Sequence, residues 1–177
     1  MRKLKNNELN RLSVDEFKSS EKTPIIVVLD NIRSLNNIGS VFRTSDAFRI
    51  EKIFLCGITA TPPHKDIHKT ALGATDSVDW EYAENTLNVL KAFKSQGITT
   101  IAIEQAEDSV KLHQFSPSAE GRYAVVFGNE VKGVQQDVVN ASDMVLEIPQ
   151  IGTKHSLNIS VSCGVVLWDI FQKIQKK

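Results

Sequence analysis

Residues 123–134 read YAVVFGNEVKGV, a buried strand that runs straight into bare backbone. The apolar run ends at Phe127 and is followed by Gly128, Asn129 and Glu130, with Gly133 three residues further on. Short continuous apolar runs of this kind mark strands covered on both faces. The same pattern recurs in IIVVL (25–29), and KIFLC (52–56), ITTIAI (98–103) and MVLEI (144–148) read as further strands. Helical patterns separate these runs. IGSVFRTSDAF (38–48) places Ile38, Val41, Phe42, Ser45 and Phe48 on one stripe. NTLNVLKAFKSQG (85–97) closes with Gly97 at C′. VQQDVVN (134–140) and the surroundings of KDIHKTAL (65–72) predict short helices, and Ser13 with Glu16 fits a capping box for another. From Leu157 to Ile174 the pattern is helical and apolar on nearly every side, as in a helix buried against a second subunit. Strands alternating with helices define an α/β layer with a largely parallel sheet.

The chain has 177 residues, enough for one sizeable core and too few for two comfortable domains. Its 41% hydrophobic and 24% charged residues are ordinary for a globular protein. No apolar run approaches the ~20 residues of a membrane span and no signal peptide opens the chain. Cys56 and Cys163 stand far apart, so the reading is a reduced, cytoplasmic protein. The 21 basic residues balance 21 acidic ones, so nucleic-acid binding must come from a local patch. Basic residues gather in Arg2, Lys3 and Lys5, and in Lys173, Lys176 and Lys177, as solvated termini usually do.

In a parallel α/β sheet, ligands bind beyond the carboxyl ends of the strands. Three polar segments occupy such positions: DNIRSLNNIGSVFRT (30–44), GNEVKG (128–133) and PQIGTKHSLNISVS (149–162). Asn36 or Asn37 could cap the helix that follows the first, and Ser156 or Asn158 the helix that follows the third. Arg43 either pairs with Asp46 or lies near the strand ends, within reach of a phosphate. The first segment has no G-x-G-x-x-G and the chain no G-x-x-x-x-G-K-[ST], which disfavours dinucleotide and P-loop readings. Ser156, His155 and Asp143 lack a nucleophile elbow. His64 and His68 have helical ligand spacing without a third ligand.

Taken together, the three segments resemble the motifs of the SpoU, or TrmH, family of RNA ribose methyltransferases in the SPOUT superfamily. Asn37, Gly39, Arg43 and Thr44 match the first motif, and Gly128, Glu130 and Gly133 the second. Ile148, Pro149, Gly152, Ser156, Leu157, Asn158 and Ser160 match the third. Arg33 is retained, while Ser34-Leu35-Asn36 stands where the family often has Asp-Pro before the first-motif Asn. The likeness spans roughly residues 24 to 172, nearly the whole chain.

The resemblance implies a parallel sheet flanked by helices with a deep C-terminal trefoil knot, a rare exception to ordinary chain topology. It implies a methyltransferase domain over 24–177 behind a helical extension over 1–23, with no separate RNA-binding domain. The implied cofactor is S-adenosylmethionine, held by Ile103, Glu104, Gly128, Asn129, Glu130, Gly133, Ile148, Pro149, Gly152, Ser156, Leu157 and Asn158. Glycines 128 and 133 would let backbone approach it where side chains collide. The implied reaction is methyl transfer to a ribose 2′-hydroxyl of tRNA or rRNA, served by Asn37, Arg43, Glu130, Ser156 and Asn158. Arg33 and Arg43 would contact RNA. A guanidinium is a poor base at neutral pH, so orienting the hydroxyl and binding its phosphate is the first role for Arg43. No metal is needed, because the leaving group departs as a neutral thioether. The family assembles as homodimers in which Arg43 would reach the partner's cofactor pocket. The competing reading is a module that binds RNA or S-adenosylmethionine without turnover.

Overall fold

The computed structural model describes residues 1–175; Lys176 and Lys177 lie outside the described residues. Its strands are β1 (Thr23–Asp30), β2 (Ile50–Cys56), β3 (Trp80–Ala83), β4 (Thr99–Ile103), β5 (Val110–Lys111), β6 (Tyr123–Phe127) and β7 (Met144–Glu147). They form one seven-stranded sheet in the order β3-β2-β1-β6-β4-β7-β5, and every neighbouring pair is parallel. The helices are α1 (Val14–Ser19), α2 (Leu35–Ala47), α3 (Lys65–Ala71), α4 (Ala74–Ser77), α5 (Thr86–Ser95), α6 (Gln136–Ala141) and α7 (Ile159–Gln175).

The apolar runs are continuous because both faces of the sheet are covered. Ile25, Val27 and Leu29 of β1, with Tyr123, Val125 and Phe127 of β6, join the core that receives α2 and α7. Ile26 and Val28, with Ala124 and Val126, face the opposite core, built with Val89, Leu90 and Phe93 of α5 and Val138 of α6. Alternate residues of one strand thus serve two cores. Each fully buried aliphatic or aromatic side chain contributes about 1.5–3 kcal/mol, so these central strands anchor the fold.

Several local expectations hold in detail. Ser13 accepts from the Glu16 backbone while the Glu16 side chain accepts from that of Ser13. Gly97 has φ +72 beyond the end of α5, the left-handed geometry that favours glycine. Other expectations are corrected. The helix following the first segment is capped by Ser34, whose Oγ accepts from the Asn37 backbone, so neither Asn36 nor Asn37 caps it. Asp46 accepts from the Ser77 hydroxyl and forms no ion pair with Arg43. Helix α7 begins at Ile159 rather than Leu157. Ile159, Cys163, Val166, Leu167 and Ile170 of α7 are buried within their own chain, so less of this helix is left for a partner than its composition suggests. The sequence pattern also gives no sign of β3, α4 or β5.

Candidate active site

Four adjacent strands, β1, β6, β4 and β7, release the loops that matter at their carboxyl ends. A cavity of about 900 Å³ opens there, bounded by residues 103–107, 127–134 and 148–159. Ile103, Phe127, Val134, Val145, Ile148 and Leu157 supply its apolar wall, and Glu104, Asn129, Ser156 and Asn158 are among its polar groups. This volume falls in the range of about 300–1,000 Å³ typical of small-molecule sites.

Loop 128–134 is built from within. The Asn129 and Gly133 backbones exchange two hydrogen bonds, 3.0 and 2.8 Å. The Asn129 Oδ1 accepts from the Val131 and Lys132 amides at 3.0 and 3.1 Å, and its Nδ2 donates to the Asn31 carbonyl at 2.7 Å. A Cβ on Gly128 would collide with Val134 N and Gly133 C, which are backbone atoms that cannot rotate away. Gly133 has φ +69, and a Cβ there would meet the Glu104 carboxylate. That carboxylate accepts from the Val134 amide at 3.0 Å and from the Gln105 amide at 2.9 Å. Gly128 is therefore demanded by the closure of the loop on itself, and Gly133 by its left-handed backbone and by the Glu104 carboxylate packed against it. Their proposed approach to a cofactor adds to that constraint.

The three motif segments meet through side chains. The Glu130 carboxylate accepts from the backbone N–H groups of Arg33 (3.1 Å) and Ser34 (2.9 Å) and from Asn37 Nδ2 (3.2 Å). Asn37 Oδ1 in turn accepts from Asn158 Nδ2 at 3.1 Å. A carboxylate can only accept, so it orients the Asn37 amide, and the amide then selects the Asn158 nitrogen. Asn158 Oδ1 accepts from the Ser160 backbone at 2.9 Å and hydroxyl at 2.6 Å, which caps the start of α7. One chain of hydrogen bonds thus fixes residues 33–37, 130 and 158 relative to one another.

Partial burial pushes the Glu130 carboxyl up, but hydrogen bonds from the Arg33, Glu130 and Ser34 backbones and from Asn37 outweigh it and hold the group below its ordinary value. A depressed carboxyl stabilises the folded loop fully above its unfolded value, about 4.3, and loses that contribution as pH falls through the lower folded value. Hydrogen exchange at the Arg33 and Ser34 amides, corrected for its intrinsic pH dependence, is therefore expected to accelerate in that acid window. In Glu130→Gln the protection should be weaker and flat. Identical profiles in the two proteins would remove Glu130 from this role.

The remaining predicted residues are distributed unevenly. Ser156 and Leu157 line the cavity; exposed Pro149 and Gly152 do not, although Ile148 and Gln150 do. Arg33 is exposed, and only its backbone bonds to Glu130. Arg43 is exposed on α2, outside the cavity wall, and has no ion pair among the described residues. Asp143 bonds Thr100 and Lys94 at the amino ends of β4 and β7, far along the sheet from His155 and Ser156. The His64 Nδ1 accepts from the Asp66 amide as a helix cap.

Two contributors escaped the sequence reading. Gln105 Nε2 donates to the His155 carbonyl at 2.6 Å, joining two walls of the cavity. Asp30, fully buried at the end of β1, accepts from Thr86 Oγ1 (2.6 Å), Gln135 N (3.2 Å) and Gln135 Nε2 (3.0 Å). The carboxylate closing the apolar run IIVVLD was the available signal for Asp30, since a buried charge requires such partners.

A parallel α/β sheet with three interlaced loops beyond its central strands defines a SpoU/TrmH-type domain. Residues 24–168 match the SpoU rRNA Methylase family, and the chain belongs to it. It is 29% identical over 153 residues to the 23S rRNA (guanosine-2'-O-)-methyltransferase RlmB of Neisseria meningitidis, covering 86% of this chain and 60% of that protein. It is 31% identical over 146 residues to an uncharacterized tRNA/rRNA methyltransferase of Archaeoglobus fulgidus, covering 82% and 63%. The chain thus spans a little under two thirds of these relatives' length. Among solved structures, the TrmH/SpoU tRNA modifying enzyme of A. aeolicus superposes with a TM-score of 0.81 at 24% identity, over 92% of this chain and 81% of that one. AviRb from Streptomyces viridochromogenes, in complex with AdoMet, gives 0.78 at 19% identity, over 90% and 64%. At these identities the likeness is one of fold.

Proposed function

We propose that this protein methylates a ribose 2′-hydroxyl in tRNA or rRNA, using S-adenosylmethionine. The observation that carries the proposal is the cavity whose walls are tied together, 128–134 to 148–159 through Glu130, Asn37 and Asn158, and 103–107 to both through Glu104 and Gln105. Family membership and the AdoMet-bound neighbour support the cofactor. The donor set fits it: apolar Ile103, Ile148 and Leu157 suit an adenine, while backbone groups of 104–107 and 128–133 and the Ser156 hydroxyl suit its polar parts. When bound, the cofactor supplies a methyl group on a sulfonium, which leaves as a neutral thioether, so no metal is required.

The protein's own residues then have separable tasks. Glu130, Asn37 and Asn158 hold the loops and are positioning residues. Arg43 binds the phosphate beside the target ribose and holds the 2′-oxygen in line with the methyl, where orientation replaces a costly bimolecular encounter. The hydroxyl proton passes to water or a nearby group, because a guanidinium does not accept it. Arg33, exposed at the same end of the sheet, provides a second phosphate contact.

The wider organisation is part of this reading. Residues 1–23 form the helical extension and 24–177 the methyltransferase domain. The C-terminal trefoil knot implied by the family resemblance is part of the proposal and rests on family membership. Two free, buried cysteines suit a reducing cytoplasm. Val161, Val165 and Trp168 form a stripe on α7 that is 51%, 40% and 51% exposed, continued by the Phe48 and Phe171 rings packed on Trp168. Burying such side chains would contribute roughly 1.5–3 kcal/mol each, enough for a twofold homodimer. Trp168→Arg is expected to sediment as a monomer at micromolar concentration where the unaltered chain is a dimer; equal sedimentation of both would reject this interface.

The decisive experiment incubates the protein with labelled S-adenosylmethionine and RNA from cells lacking it, then maps the methylated ribose. Cofactor binding without label transfer to any RNA would favour a binding module instead.

A further inference from the structure

A second cleft lies away from the cavity at the carboxyl ends, on the side of the sheet where β3 is the edge strand. It measures about 600 Å³ and is lined by Pro62, Pro63, His64, Lys65, His68, Asp76 and Trp80, among others. Trp80 is half-buried, packed on the main core, and its side chain has neither a ring partner nor a hydrogen-bond partner among the described residues. Lys65 is exposed and forms no ion pair among the described residues. The His64 Nδ1 is occupied by the Asp66 amide, which leaves the other ring nitrogen to donate outward.

The geometry points to a stacking subsite for one unpaired nucleotide of RNA that flanks the methylated residue. The inference rests on the proposed RNA substrate and names a place where that RNA is held. A tryptophan edge with two prolines beside it forms an apolar slot for a base, and stacking tolerates any base because each has a π-face. Lys65, His64 and His68 at the rim supply donors for the backbone phosphate. Asp76, the acid in the lining, accepts from a base N–H and disfavours a phosphate at its own side. The cleft also adjoins the helix that carries Arg43: α3 packs on α2, with Thr70 Oγ1 donating to the Asn36 carbonyl at 3.0 Å. A strand leaving Arg43 can therefore cross α3 to reach Trp80. In a chain with zero net charge, a small aromatic and basic slot provides affinity that a diffuse basic surface does not.

The test uses the full chain and a single-stranded RNA of about ten nucleotides, within the site sizes such grooves accommodate. The chain has two tryptophans, so Trp80→Phe leaves only Trp168 to report. Quenching of tryptophan emission is expected for the unaltered chain and should disappear in Trp80→Phe, which should keep most of the affinity. Trp80→Ala should weaken binding by about tenfold. Lys65→Ala should lower the salt dependence by about one counterion, whereas Trp80→Ala should leave it unchanged. Unquenched Trp80 emission, absent RNA binding by the unaltered chain, or equal affinity of Trp80→Ala would each overturn the subsite. Calorimetry with S-adenosylmethionine separates the two readings: loss of cofactor binding by the unaltered chain defeats the methyltransferase, while a silent Trp80 in a chain that methylates RNA defeats only the cleft.

Discussion

Arg43→Ala is expected to lower methyl transfer by at least about a hundredfold while S-adenosylmethionine affinity stays within about twofold of the unaltered protein. The asymmetry follows from position. Arg43 lies outside the wall of the cavity and has no ion pair to lose among the described residues, so its removal leaves the cofactor loops intact. What would disappear is the proposed charge-assisted contact to RNA, which the cofactor alone does not use. Single-turnover methylation of RNA with saturating cofactor reads the chemical step, and calorimetry reads the binding. Comparable turnover in the two proteins would remove Arg43 from the reaction. An exposed arginine outside its own chain's cavity wall fits the proposed homodimer, in which it would act on the partner's site. Mixing Arg43→Ala with Asn158→Ala subunits should then restore up to about a quarter of the activity, because half the random dimers carry one complete site. If no activity returns from a confirmed mixed dimer, each site is served by its own Arg43.

Gly128→Val is expected to abolish cofactor binding through the shape of the loop. Its Cβ would overlap Val134 N and Gly133 C, which are fixed by the paired backbone bonds between Asn129 and Gly133. Relief requires the whole turn to move, at a cost of about 1–3 kcal/mol in stability. The turn also carries Glu130, so its displacement releases Arg33, Ser34 and Asn37 at the same time. Urea unfolding should show the loss of stability, and calorimetry the loss of binding. Gly152→Ala is the contrasting case, since no heavy atom lies within 4 Å of the added Cβ. That variant should fold as stably as the unaltered chain, and any change in its cofactor affinity would report a direct ligand contact. A Gly128→Val protein with unchanged stability and binding would contradict the loop geometry.

Much of the central architecture is legible in residue order, for a simple reason. IIVVL and YAVVF are apolar at consecutive positions because both faces of their strands are covered, and their short length and β-branched residues distinguish them from buried helix. The capping box at Ser13 and the glycine after α5 are local devices, settled by residues within one turn. Asn37, Glu130 and Asn158 are marked out before their contacts are known by the resemblance of their three segments to the family motifs.

The edges of the sheet are different. WEYA of β3 and the two residues of β5 have weak patterns, because an edge strand takes its conformation from the neighbour it pairs with. Strand order is also absent from the apolar pattern, since β6 lies between β1 and β4 only after the chain has crossed the sheet. Asn37 read locally as a cap. It does not cap α2 because Ser34 is placed to do so, while the Asn37 amide is claimed by Glu130, 93 positions away, and by Asn158, 121 positions away. Gly128 read as a ligand contact, yet its immediate constraint is the backbone of its own turn.

Amino-acid order alone therefore determined the α/β class, the central strands and local devices such as the Ser13 capping box and Gly97, which depend on side-chain periodicity and on bonds within a few residues. The residues on which the chemistry is proposed to rest were marked out by the resemblance of their segments to the family motifs. The tertiary structure decided which cap was used, how the apolar side chains of α7 divide between the core and the surface, and why the glycines are required. Those outcomes depend on competition between distant partners for the same donor, acceptor or volume, and that competition exists only once the chain has folded.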